Sequence, residues 1–188
     1  VPPAPLDPAP LAFRPLAVDE LPMLKGWFDQ PHAAPWFRGG RSLAEVSDEF
    51  MRYFNGEEPV HSYVVTYDCA PMGLCQWELM ADFPEAMRAY GATDPGTVNV
   101  DVLIGDPSFA RRGLGGPMVL RFLREIVFRD ARATVCLIDP RVENAAAIRA
   151  YEKAGFRHVR TVADAEDGER LHLMELSRVD LYGIETKK

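Results

Sequence analysis

Apolar residues along this 188-residue chain change period several times, and each change predicts an element. Residues 11–16 read as a short strand. Asp19 then stands where a helix N-cap is expected, with Leu21, Leu24, Trp27 and Phe28 spaced to share one helical face. Ser42 and Glu45 have capping-box spacing, and Val46, Phe50 and Tyr53 supply the apolar stripe of a second helix. Residues 62–67 and 72–79 are rich in β-branched and bulky side chains and flank the turn-like Asp68-Cys69-Ala70-Pro71, which predicts a hairpin. Residues 81–96 are acidic and show no period, so an irregular solvated loop is expected there. In residues 98–104 valines alternate with Asn99 and Asp101, the pattern of a strand.

Helical spacing returns over residues 113–130, where Pro117 is tolerated in the first turn and Val119, Phe122, Leu123 and Ile126 form the stripe. A strand over 134–138, a helix over 144–154 ended by Gly155, and two strands over 156–162 and 171–176 complete the order βααβββαβαββ. Strands followed by βαβ units predict an α/β fold with a mixed central sheet and helices on both faces. Pro2, Pro3, Pro5, Pro8 and Pro10 favour extended backbone and leave few donors for a sheet. The expected division is a loose proline-rich tail over 1–12, one domain over 13–178 and a C-terminal tail over 179–188.

Composition narrows the partners. With 47% hydrophobic and 26% charged residues the chain is that of an ordinary globular protein. The formal charge of −7 disfavours nucleic acid, whose phosphates call for a basic face. No run approaches the roughly 20 apolar residues of a membrane span, and no basic-then-apolar leader opens the sequence. A cytoplasmic protein without a membrane partner is expected, acting on a small molecule as a monomer or homodimer. Cys69, Cys75 and Cys136 form no CxxC pair, which points to buried free thiols in strands rather than disulfides or a metal site.

The candidate chemistry begins at Arg111-Arg112-Gly113-Leu114-Gly115-Gly116, between the strand ending near Ile104 and the helix that follows. Glycines let a polyanion approach the backbone, and free N–H groups at a helix start favour negative charge. Arg111 and Arg112 add permanent positive charge. The same glycines also suit a plain flexible turn. No GK[ST] follows and the GxGxxG order is absent, so a phosphate ligand other than a P-loop nucleotide or a dinucleotide is indicated.

Downstream, Asp139-Pro140-Arg141-Val142-Glu143-Asn144 leads into a helix carrying Ala147, Tyr151, Gly155 and Phe156. An RxxGxG-like loop followed by N-x-x-A-x-x-x-Y-x-x-x-G-F resembles the GNAT acyltransferase superfamily. The resemblance implies acetyl-CoA as co-substrate and no metal. It implies that backbone around Val102, Leu103 and Ile104 receives the pantetheine arm, where the strand splays from its neighbour. It further implies that the Arg111 to Gly116 loop holds the pyrophosphate, that Asn144 touches the coenzyme arm, and that Tyr151 protonates the departing thiolate. From the residues alone, Asn144 also reads as an N-cap and Tyr151 as a core aromatic. Ala110 stands where the superfamily usually has glutamine or arginine.

Phe13-Arg14-Pro15-Leu16, Leu24, Trp27, Pro31-His32 and Trp36 precede the hairpin in the order seen in aminoglycoside 6′-N-acetyltransferases, and siderophore-biosynthesis acyltransferases share that opening. Asp101 matches an aspartate of the aminoglycoside group, where the siderophore group is expected to carry histidine. The resemblance thus implies an N-acetyltransferase acting on a primary amine, with Asp101 receiving a proton from the acceptor ammonium or anchoring it. Trp36, Trp77 and Glu78 are candidate acceptor contacts, and His32 is a weaker one. Asp82, Glu85 and Asp94 form either an acidic mouth or a solvated loop. Two alternatives remain open at this level: a siderophore acyltransferase acting on a hydroxylamino acid, and a non-catalytic acyl-CoA sensor.

Overall fold

The computed structural model describes residues 3–37, 39–164 and 167–183. Pro2 of the expected N-terminal tail and residues 184–188 of the C-terminal tail lie outside them. The elements run β1 (Leu11–Pro15), α1 (Leu21–Phe28), α2 (Leu43–Phe54), β2 (Val60–Tyr67), β3 (Ala70–Leu79), α3 (Pro84–Tyr90), β4 (Thr97–Ile104), α4 (Gly115–Glu125), β5 (Val135–Ile138), α5 (Ala145–Lys153), β6 (Arg157–Ala163), β7 (Arg170–Ser177) and α6 (Arg178–Gly183). Seven strands make one sheet in the order β1-β2-β3-β4-β5-β7-β6. The sheet is mixed: β1 is antiparallel to β2, β4 parallel to β5, and β7 antiparallel to both β5 and β6. The parallel pair is joined through α4, as a parallel crossover requires.

The chain forms two compact units, Val1–Gln76 with Asp101–Leu114, and Trp77–Val100 with Gly115–Lys188. In the first, Leu16, Leu21, Leu24, Trp27, Phe28, Val46, Phe50, Val64, Leu74 and Leu103 form a hydrophobic core. The Ser42–Glu45 box starts α2 as expected: Ser42 Oγ accepts the Glu45 N–H at 3.2 Å, and Glu45 accepts the Ser42 N–H at 2.7 Å. Asp19 does not cap α1. It lies in a 3₁₀ turn over Val18–Glu20, where Glu20 takes the Ala17 N–H at 3.0 Å and a two-pronged bond from Arg14. The turn between β2 and β3 is tighter than expected. Asp68 and Cys69 both have left-handed backbone, φ 47° and 67°, as a two-residue hairpin turn demands. Cys69 is therefore exposed, while Cys75 and Cys136 are the buried strand thiols.

In the second unit α4 buries Met118, Val119, Phe122 and Leu123. Asn144 caps α5, its Oδ1 accepting the Ala147 N–H at 3.1 Å. The segment expected to be irregular contains α3, opened by Pro84 and closed by Gly91 in the left-handed conformation. A terminal helix, α6, was likewise not expected. Ser177 and Asp180 cap it, with Ser177 Oγ accepting the Asp180 N–H at 3.0 Å and donating to its carboxylate at 2.8 Å.

Candidate functional site

The donor-side candidates of the first unit lie on β4 and the loop after it. The register of β4 with β5 pairs Thr97, Val98 and Asn99 with Val135, Cys136 and Leu137 and ends there, while β4 runs on to Ile104. Val102 and Ile104 are half-buried, and Leu103 turns into the core at 3% exposure. The Ile104 carbonyl accepts His32 Nε2–H at 2.8 Å. His32 thus ties the end of β4 to the segment after α1, a role its sequence position did not disclose.

Within the loop the two arginines differ. Arg111 is exposed and holds φ 59°, a left-handed conformation that a residue with a Cβ adopts only at a cost of about 1–2 kcal/mol. Arg112 is half-buried, its guanidinium donating to the Ala4 carbonyl at 2.7 Å and the Ser108 carbonyl at 3.5 Å. Its own carbonyl accepts the Leu6 N–H at 2.9 Å. The glycines also differ. Gly113 needs its left-handed φ of 78°. In the second unit a Cβ on Gly116 would lie 3.1 Å from the Ala150 carbonyl oxygen of α5, so this glycine permits close helix packing. Leu114 is wholly buried and Gly115 opens α4, whose first N–H groups have no intrahelical partner by the geometry of any helix start.

Asn144 is the α5 cap, as one of the two readings had it. Tyr151 is 7% exposed, its ring 5.9 Å from that of Phe156. Only its hydroxyl could serve chemistry, because the ring is core.

On the acceptor side, Asp101 and Trp36 are half-buried in the first unit. Burial pushes the Cys75 thiol well above its ordinary range, and the Asp101 carboxylate adds to that push. The negative charge of Asp101 is therefore felt inside β3. In the second unit Trp77 is 6% exposed and Glu78 half-buried. Burial, then Asp139 and Glu78, raise the Cys136 thiol in the same way. Asp82 and Glu85 are exposed, as a solvated segment would have them. Asp94 is a structural anchor, accepting the Gly96 N–H and the Thr134 hydroxyl at 2.8 Å each.

Two side chains that the sequence reading left without a role stand out. Asp139, at the end of β5, accepts the Tyr90 hydroxyl of α3. Burial raises its pKa above the usual carboxylate range, opposed by the Tyr90 bond and reinforced by Asp164. The signal available was an aspartate directly after a buried strand, where desolvation is expected. Asn99 is 8% exposed and its Oδ1 has no hydrogen-bond partner. The alternation over residues 98–104 marked the strand but not which of its polar residues would be buried. Among the described residues no group of three or more His, Cys, Asp or Glu is placed to hold a metal ion.

Residues 17–163 match the model of the acetyltransferase (GNAT) domain family, and the chain belongs to that family. It is 30% identical to the aminoglycoside N(6′)-acetyltransferase type 1 of Klebsiella pneumoniae over 168 residues, covering 88% of this chain and 82% of that protein. It is 28% identical to lysine N-acyltransferase MbtK of Mycobacterium sp. (strain MCS), over 82% of this chain and 62% of that one. Among solved structures it resembles the aminoglycoside acetyltransferase AAC(6′)-Ib in complex with coenzyme A and kanamycin, with a TM-score of 0.80, 27% identity, and 93% and 99% of the two chains covered.

Proposed function

We propose that this chain transfers the acetyl group of acetyl-CoA to a primary amine of a small cationic acceptor, as a cytoplasmic enzyme, with the 6′-amine of an aminoglycoside the first acceptor to test. The observation that carries the reading is the loop from Arg111 to Gly116. Its backbone is left-handed at Arg111 and Gly113 and leads directly into the N-terminus of α4. Left-handed backbone beside one exposed guanidinium makes the kind of loop that suits an anion such as a pyrophosphate. Likeness to aminoglycoside acetyltransferases across most of the chain supports the acceptor class. Asp101 is half-buried on β4, and a fixed negative charge there suits a cationic amine acceptor.

In the reaction the amine nitrogen attacks the thioester carbonyl carbon, the C–S bond breaks, the nitrogen gives up a proton and the thiolate gains one. Oriented binding supplies much of the rate by making the attack intramolecular. Backbone N–H groups of β4 beyond Asn99 are the donors for the developing oxyanion. Asp101 lies on that stretch. An ordinary carboxylate and an alkylammonium differ by about six pKa units, roughly 8 kcal/mol, so direct full transfer to Asp101 is steeply uphill. Its charge therefore serves first to hold the ammonium, with the proton leaving through water. For the thiolate the gap is small: a thiol near 8.5 and a phenol near 10 differ by about 2 kcal/mol, within reach of Tyr151 as the acid.

The test is acceptor-dependent release of free thiol from acetyl-CoA by the purified protein, using aminoglycosides with and without a 6′-amine, polyamines, N-hydroxylysine and peptides. Turnover confined to 6′-amino aminoglycosides is expected. Binding of acetyl-CoA without thiol release for any amine would leave a sensor in place of an enzyme, and preference for the hydroxylamino acid would move the chain to the siderophore group.

A further inference from the structure

The adjacent arginines of the donor loop carry equal charge, yet they are placed for unequal tasks. Arg111 points into solvent from a left-handed backbone. Such a conformation persists at a residue with a side chain only where the surroundings over-determine it. The surroundings here are the proline-rich residues 3–8. The Leu6 N–H donates to the Arg112 carbonyl at 2.9 Å, the Arg112 guanidinium donates back to the Ala4 carbonyl at 2.7 Å, and Gly113 faces Pro5, to whose Cβ an added Cβ would come within 3.7 Å. Pro3, Pro5 and Pro8 preset an extended backbone, so this segment loses little conformational entropy when it docks.

We infer that residues 3–8 are a strap holding the 108–113 loop in its coenzyme-binding shape, that Arg112 is a positioning residue committed to that strap, and that Arg111 is the arginine of the pair left to meet the pyrophosphate. The inference rests on the donor-loop reading above. A loop that is correctly shaped only part of the time weakens apparent affinity in proportion to that fraction, without altering the chemical step. Loss of the strap therefore raises Kd and KM for the coenzyme and leaves kcat at saturating donor.

The experiment uses calorimetric binding of coenzyme A at several salt concentrations, steady-state kinetics, and circular dichroism to confirm folding. Leu6→Pro removes one N–H while keeping the extended backbone, with Leu6→Ala as the control for lost packing. Deletion of residues 1–7 removes the strap, and should it fail to fold, Leu6→Pro decides. Leu6→Pro and the deletion are expected to raise Kd and KM roughly 5- to 30-fold with kcat within about twofold, and Leu6→Ala much less. Arg112→Ala raises Kd without changing the salt dependence, and Arg112→Lys does not rescue it, because a single ammonium cannot span both carbonyls. Arg111→Ala raises Kd and flattens the salt dependence. Wild-type affinity in both Leu6→Pro and the deletion, or full rescue by Arg112→Lys, overturns the strap. Failure of the wild-type protein itself to bind coenzyme A would instead overturn the donor-loop reading.

Discussion

Gly113 and Gly116 stand three residues apart in one motif, and alanine at the two positions should fail in different ways. At Gly113 there is room for a methyl group, since the nearest atom would be Pro5 Cβ at 3.7 Å, but φ is 78°. The cost is conformational, about 1–2 kcal/mol for a left-handed residue with a Cβ, and it falls on the loop's shape. At Gly116 the backbone is helical, so alanine gains up to about 1 kcal/mol in propensity. Its Cβ would sit 3.1 Å from the Ala150 carbonyl oxygen and 3.7 Å from Ala154 Cβ. The closer atom is backbone, so α4 and α5 must part by a few tenths of an ångström. Overpacking of this kind costs about 1–3 kcal/mol, which outweighs the propensity gain and leaves a net loss near 1 kcal/mol. Thermal unfolding and coenzyme A binding separate the two. Gly116→Ala should lower Tm by about 2–4 °C, the expected slope for a domain of this size. Gly113→Ala should weaken coenzyme A about tenfold, the equivalent of 1.4 kcal/mol, with a smaller change in Tm. A higher Tm for Gly116→Ala would refute the packing argument, and unchanged coenzyme affinity for Gly113→Ala would refute the need for its left-handed turn.

Tyr151→Phe keeps the buried ring against Phe156 and removes only the hydroxyl, so kcat should fall about 10²- to 10⁴-fold with coenzyme affinity within twofold; wild-type turnover would remove Tyr151 from the chemistry. Asp101→Asn should chiefly raise KM for the cationic acceptor, and an effect confined to coenzyme binding would contradict its assignment. Asp139 is held above the ordinary carboxylate pKa, so the folded state binds more protons between the unfolded and folded values and stability falls as pH rises through that window. Asp139→Asn should therefore raise Tm more at pH 7.5 than at pH 4, and an equal shift at both would refute the linkage. A disulfide-exchange reagent at pH 8 should label Cys69 in the native protein, whereas Cys75 and Cys136, buried with raised thiol pKa values, should react only after denaturation. Rapid native labelling of all three would show the core to be more open than described.

The capping box of α2, the alternating β4 and the Asn144 cap were legible because each is enforced by neighbours in sequence. The Arg111–Gly116 loop and the Asn144–Tyr151 helix were legible as motifs for the same reason, since each lies within one short stretch of chain. Pro84 with Gly91, and Ser177 with Asp180, carried readable start and stop signals for α3 and α6. Those helices have only seven and six residues, too short for a hydrophobic period to reveal them.

By itself the sequence determined the order of strands and longer helices and the mixed-sheet class, which follow from periodicity and local caps, and it carried the two motifs on which the resemblance to the family rests. Only the tertiary structure decided which arginine faces solvent and which is tied to Ala4 and Ser108, which glycine serves a left-handed turn and which a helix contact, that His32 holds the end of β4, that Asn99 is buried, and that the half-buried Asp139 is desolvated. The reason is physical. Burial, and partners over a hundred positions away such as Ala4 and Arg112, depend on how elements pack, and no window along the chain contains both members of such a pair.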